Sequence, residues 1–190
     1  MSDYSNEKKQ PQAASSGGNS SATTAVPSPN PPMQMGLSPS EALYRYQDEL
    51  TPFEKSELVQ FDQIYAVGSY RRQTLAEVVD AEGYYRARIG EQIGYRYLVA
   101  DIVDKGAFGQ VVKCFDIKDG GKEVAVKISR NKKFDVDNAS VEYKILCTIK
   151  QMDQNDSSGI VRVSDCFPFR KHMVLVFEFL GKNLYKHMRS

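Results

Sequence analysis

Two glycines and a lysine carry the most chemical information in this sequence. Ile102 leads an apolar run into a turn containing Gly106 and Gly109, and Val111 and Val112 lead out of it. A second turn, Asp119-Gly120-Gly121, brings in a third apolar strand that ends on Lys127. Without a Cβ, glycine lets a backbone approach a ligand closely and tolerates positive φ. An ammonium set in an otherwise apolar strand costs free energy unless something pairs with it. A glycine turn and such a cation on adjacent strands suit a phosphate, the backbone N–H groups covering it and the lysine pairing with it.

The elements that must position these residues follow from period and punctuation. Strands are expected over Tyr95–Val103, Phe108–Ile117 and Glu123–Ser129, the last two joined by the Asp119-Gly120-Gly121 hairpin signal. Val136–Lys150 has helical periodicity and would carry Val141, Ile145, Leu146 and Ile149 on one face. Two further strands, Ile160–Phe169 and His172–Phe179, meet at a tight turn, and a helix begins at Asn183. Three strands, a helix and two strands predict an α+β fold: a five-stranded antiparallel sheet with one packed helix.

Ahead of the sheet, Ser38-Pro39-Ser40-Glu41 and Thr51-Pro52-Phe53-Glu54 are both capping boxes with proline at the first helical position. The first helix should run to about Asp48, and the second should use Phe53 and Leu58 as apolar contacts. Arg71 and Arg72 are expected to be solvated or paired with nearby acids. Tyr84, Tyr85 and Ile89 alternate with polar residues, as an extended segment would. Residues 1–37 are polar and proline-rich, too poor in apolar surface to offset the entropy of ordering, and are expected to be disordered. Domain limits are therefore set at 1–37 for the tail, 38–94 for an accessory segment and 95–190 for the sheet-bearing unit.

Composition narrows the function classes. Over 190 residues, 25 basic and 24 acidic side chains leave a net charge of +1, giving no general pull toward nucleic acid or an anionic membrane. No apolar run approaches the roughly 20 residues needed to span a bilayer, and the polar N-terminus lacks a signal-peptide pattern. Cys114, Cys147 and Cys166 are widely spaced among apolar residues and read as buried reduced thiols, not as a metal or disulfide set. A cytoplasmic and/or nuclear protein is expected.

Gly106-Ala107-Phe108-Gly109-Gln110-Val111, Val124-Ala125-Val126-Lys127 and Glu142 on the next helix resemble the small lobe of a eukaryotic protein kinase. The similarity is closer still to the dual-specificity tyrosine-regulated kinases, the DYRK family, and to its class 2, which has an accessory helical segment. It runs through Ser38-Pro39-Ser40-Glu41-Ala42-Leu43, Leu50-Thr51-Pro52-Phe53-Glu54, Phe61-Asp62-Gln63-Ile64-Tyr65, Tyr95-Arg96-Tyr97, Leu175–Leu180 and Asn183-Leu184-Tyr185.

The resemblance implies that a loop of Val103, Asp104, Lys105, Gly106, Ala107, Phe108, Gly109, Gln110 and Val111 covers ATP. Val103, Val111 and Ala125 would sandwich the adenine, and Lys127, oriented by Glu142, would hold the α- and β-phosphates. Phe177 would be the gatekeeper, Glu178 and Leu180 would present hinge backbone, and Asn183 would reach the ribose. Leu146 and Phe167 either join the apolar column behind the Lys–Glu pair or pack for stability alone.

Two departures stand out. The first glycine of the family's loop is replaced by Asp104, which places a negative charge near an anionic ligand and predicts weakened ATP binding. No His-Arg-Asp or Asp-Phe-Gly sequence occurs in the 190 residues, and His172 and His187 have no partner motif. The chain is thus expected to be the ATP-binding portion of a kinase that, when complete, uses Mg²⁺ and phosphorylates protein Ser, Thr and Tyr, and to be inactive by itself. The alternative is a non-catalytic small lobe that binds partners. In either case, an exposed helix and strand face is expected to meet a partner or a large lobe.

Overall fold

The computed structural model describes residues 35–181 and Met188. The expectations for residues 1–34, for Asn183 and for the helix beginning there lie outside the described residues, Met188 apart.

Both capping boxes form. In α1 (Pro39–Arg45) the Glu41 N–H donates to Ser38 Oγ at 3.3 Å, and the Ser38 N–H donates to Glu41 Oε2 at 2.8 Å. In α2 (Pro52–Leu58) Thr51 and Glu54 exchange the same bonds at 3.2 and 3.1 Å. α1 stops short of Asp48 and passes into a turn. Ala42, Leu50, Leu58, Ile64 and Tyr95 bury together as a small core beneath the two helices.

Six strands make one antiparallel sheet: β1 (Gln92–Ile93), β2 (Tyr97–Gly106), β3 (Gly109–Asp116), β4 (Lys122–Ser129), β5 (Val163–Phe169) and β6 (His172–Glu178). Their order is β1-β2-β3-β4-β6-β5. The expected five strands are present, and β1 is a sixth. It exists because Gly94 and Tyr95 take φ of 59° and 54° and turn the chain back, pairing Ile93 with Tyr97. That turn also moves the start of β2 from Tyr95 to Tyr97.

Side chains alternate across the sheet. Val99, Val112, Cys114, Val124, Val126, Ile128, Val174 and Val176 point to one face, where Val78, Tyr85 and Ala87 of the accessory segment cover them. The other face carries Ala125, Leu175 and Phe177, against which α3 (Lys133–Met152) packs through Ala139, Tyr143, Leu146 and Cys147. The expected apolar face of α3 is thus partly wrong. Val141 and Ile145 are 54% and 55% exposed, because small Ala139 and its neighbours one turn on make the closer approach. For Phe167 the packing alternative holds: it stacks on Tyr97, with ring centroids 5.9 Å apart, and belongs to the opposite face from Leu146. Of the three thiols only Cys114 is buried, Cys147 and Cys166 being half-buried.

Charge ties the accessory segment to the sheet. Both arginines are paired with acids: Arg71 with Glu49, and Arg72, only 2% exposed, with Glu91, to which its Nε and Nη2 both donate at 2.7 Å. Glu91 also accepts from Arg170 Nη1 at 2.8 Å and from Tyr85 Oη at 2.7 Å. Arg170 completes a fork onto Glu57, both bonds at 2.8 Å. Arg170 and Lys171 form the two-residue β5–β6 turn at φ of 49° and 68°, a conformation costly for residues with a Cβ.

Candidate active site: a lysine–glutamate pair beneath a glycine turn

The alternation that buries Val124, Val126 and Ile128 sends Ala125 and Lys127 to the opposite face. There, Lys127 Nζ donates to both Glu142 carboxylate oxygens, at 2.7 and 2.6 Å. Ala139 sets the approach of α3, and Glu142 follows three residues later on the same side. Both side chains of the pair are about one-third exposed, so the pair adds little to stability and leaves its charges open to a ligand.

Above the pair, Gly106 pairs with Gly109 at the end of the β2–β3 hairpin. The two glycines differ in purpose. A Cβ at Gly109 would collide with the Ile128 carbonyl, so this glycine is demanded by the close approach of β3 to β4. A Cβ at Gly106 would meet no protein atom, so no protein neighbour demands a glycine there. One residue of β2, Val103, is bulged between Ile102 and Asp104, which re-aims it toward the cleft.

A cleft of about 580 Å³ is lined by Val103, Asp104, Val111, Ala125, Lys127, Glu142, Phe177, Glu178 and Leu180, all anticipated from sequence. Leu146 joins them, as do Val161, Phe179 and Gly181, which sequence reasoning missed. Val161 enters from the loop before β5, and no local pattern signals that placement. Phe108 lines a smaller adjoining cavity of about 210 Å³ that shares Lys127 and Glu142. Gln110 is buried on the other side of β3 and lines neither cavity, because it alternates with Val111. Lys105 turns away to Asp80 at 3.2 Å. Asp104 is exposed, its Oδ1 accepting from the Lys105 N–H at 2.9 Å. His172 lies away from the cleft, its Nδ1 2.7 Å from the Ser129 carbonyl in the core.

A larger cleft, about 820 Å³, opens beside Arg96, Tyr97 and Phe167. Of its two cations, Arg96 is held by Asp116 and Asp165 at 2.7 and 3.1 Å, and Lys118 lies over the Tyr65 ring at 5.5 Å. The smaller cleft combines apolar walls with a cation that a carboxylate holds in place.

An antiparallel sheet with one main helix, a glycine turn and a strand lysine held by a helix glutamate defines the small lobe of a protein kinase. The chain is 36% identical over 162 residues to the dual specificity tyrosine-phosphorylation-regulated kinase 4 of Homo sapiens, covering 81% of this chain and 31% of that protein. It is 40% identical over 151 residues to the DYRK-family kinase pom1 of Schizosaccharomyces pombe, covering 74% and 14%. With the dual specificity tyrosine-phosphorylation-regulated kinase 3 of Mus musculus it shares 34% over 195 residues, covering 97% and 33%. The chain belongs to the DYRK family, and it spans about a third or less of these curated relatives. No protein-family model matches it.

Proposed function

We propose that the cleft binds the adenine nucleotide of ATP and that the chain is the nucleotide-binding part of a class 2-like DYRK kinase. The Lys127–Glu142 pair at the cleft floor, beneath the glycine turn, carries this proposal. The residues fit the ligand: Val103, Val111 and Ala125 offer apolar walls to a base, and Lys127 offers a cation to the phosphates. Glu142 orients that cation, and its displacement with α3 would withdraw it. Phe177, Glu178 and Leu180 line the same cleft, where Phe177 would act as gatekeeper and Glu178 and Leu180 would offer hinge backbone to the base.

Bound with Mg²⁺, ATP supplies the phosphoryl group that the complete kinase transfers to Ser, Thr and Tyr of protein substrates. This stretch of 190 residues contains no His-Arg-Asp or Asp-Phe-Gly sequence, so it binds nucleotide and does not transfer phosphate by itself. Titration of the chain with MgADP tests the proposal. Binding that Lys127→Met weakens by at least about tenfold is expected, since hydrogen bonds to charged groups are worth about 1.5–3 kcal/mol. No binding by the wild type, or equal binding by the variant, would overturn it, and phosphate incorporation by the purified chain would overturn its inactivity.

A further inference from the structure

The accessory segment touches the glycine turn as well as the core. Val79 bridges to Tyr85, so Tyr85 points inward while its neighbour Tyr84 points out toward the loop. Between them and the loop lies a tight turn: Asp80 Oδ1 accepts from the Tyr84 N–H at 2.8 Å and the Glu82 N–H at 3.1 Å. From this turn Tyr84 Oη donates to the Gly106 carbonyl at 3.0 Å. Lys105 Nζ sits 3.8 Å from the Tyr84 ring centroid and 3.2 Å from Asp80 Oδ2. The same turn grips the connection between β4 and α3: the Asn131 N–H donates to the Gly83 carbonyl at 2.9 Å, and Arg130 lies over the Tyr84 ring at 5.5 Å. Arg130 closes the circuit, its N–H donating to the Phe108 carbonyl at 3.1 Å while its Nε holds Asp135, in the first turn of α3, at 2.8 Å.

We propose that Tyr84 is a positioning residue, and that the Asp80–Tyr84 turn clamps the tip of the glycine loop to the connection leading into α3. This rests on the cleft being a nucleotide site. The loop tip would otherwise be a two-residue hairpin end with exposed side chains, free to sample many positions. Held by Gly106 and Lys105 on one side and by Arg130 and Asn131 on the other, it keeps the geometry that a nucleotide needs, and less ordering is left to be done on binding. The accessory segment thereby acts on the nucleotide without touching it.

Amide hydrogen exchange of the full 190-residue chain, paired with MgADP titration, decides this. Tyr84→Phe deletes one hydrogen bond and keeps the ring, so exchange across residues 104–109 should quicken by about three- to tenfold, with β4 and β6 unchanged. MgADP binding should weaken by a similar factor. Asp80→Asn keeps the Oδ1 acceptor but drops the ion pair, and should give about a twofold effect that high salt in the wild type reproduces. Tyr44→Phe, on the exposed face of α1, should change nothing. Unaltered loop exchange in Tyr84→Phe would overturn the clamp whether or not nucleotide binds. A loosened loop with unaltered affinity would overturn its part in binding. If the wild type binds no MgADP yet the loop loosens in Tyr84→Phe, the clamp stands and the nucleotide site falls.

Discussion

Asp104 sits at the mouth of the cleft with its carboxylate in solvent, accepting a hydrogen bond from the next residue's own N–H. An exposed charge in that position repels an anionic ligand weakly, by about 1 kcal/mol or less after screening. Asp104→Gly should therefore tighten MgADP by up to about fivefold, and a calorimetric titration showing no gain would refute the repulsion. His172 presents the opposite situation, a titratable group sealed in the core. A carbonyl can only accept, so Nδ1 carries the hydrogen that Ser129 receives, leaving buried Nε2 without a partner. Burial holds the imidazole below its ordinary pKa of 6.5, against the pull of the Ser129 carbonyl and Asp80. The unfolded chain thus binds a proton more readily than the folded one just below that value. Stability should be full above about pH 6.5 and fall as pH drops through it. Urea midpoints at pH 7.5 and 5.5 should differ less in His172→Asn, which keeps an N–H near the Nδ1 position.

Elements were legible wherever their signals are local. The two capping boxes, the Asp119-Gly120-Gly121 hairpin and the alternation of β4 lie within a few residues of what they determine, and all three formed. Thr51 does more than cap, since its Oγ1 also donates to the Arg72 carbonyl at 2.6 Å. Thr51→Ala should cost about 1–2 kcal/mol, the upper range for a cap, read from chemical denaturation. Gly109→Ala should cost about 1–3 kcal/mol by forcing β3 away from β4, a role that the expectation of a phosphate-covering turn had hidden. What could not be read was set at a distance. Leu146 and Phe167 look equivalent in sequence, yet they fall on opposite faces of the sheet. Periodicity marks an apolar stripe on α3, but which part of it packs depends on how closely Ala139 lets the helix approach. β1 is two residues long and owes its pairing to a turn with a non-glycine residue at positive φ.

At the scale of the whole molecule, Glu91 is the joint between accessory segment and sheet. It is 1% exposed and compensates two buried arginines, one of which, Arg170, reaches back to Glu57 across 113 residues. No window of sequence reveals such a pairing. Glu91→Gln leaves two guanidinium groups facing a neutral partner in low dielectric, and should cost about 3–5 kcal/mol. Glu123→Gln, which breaks the half-exposed pair with Lys113, should cost about 1 kcal/mol or less and serves as the control in the same urea titration.

The strained turn at Arg170 and Lys171 also bears on how the gene can be divided. Sequence pattern changes near residue 95, and a cloning boundary placed there would retain nearly the whole sheet. It would also discard Glu57 and Glu91, the two carboxylates that fasten the turn, together with Val78, Tyr85 and Ala87, which keep one face of the sheet dry. A product starting at Tyr95 would carry an arginine built for burial with no counter-charge and an apolar face in water. A boundary that keeps the accessory core intact lies no later than Leu37, which exchanges two backbone hydrogen bonds with Ile64 at 2.9 and 2.8 Å and packs on that core.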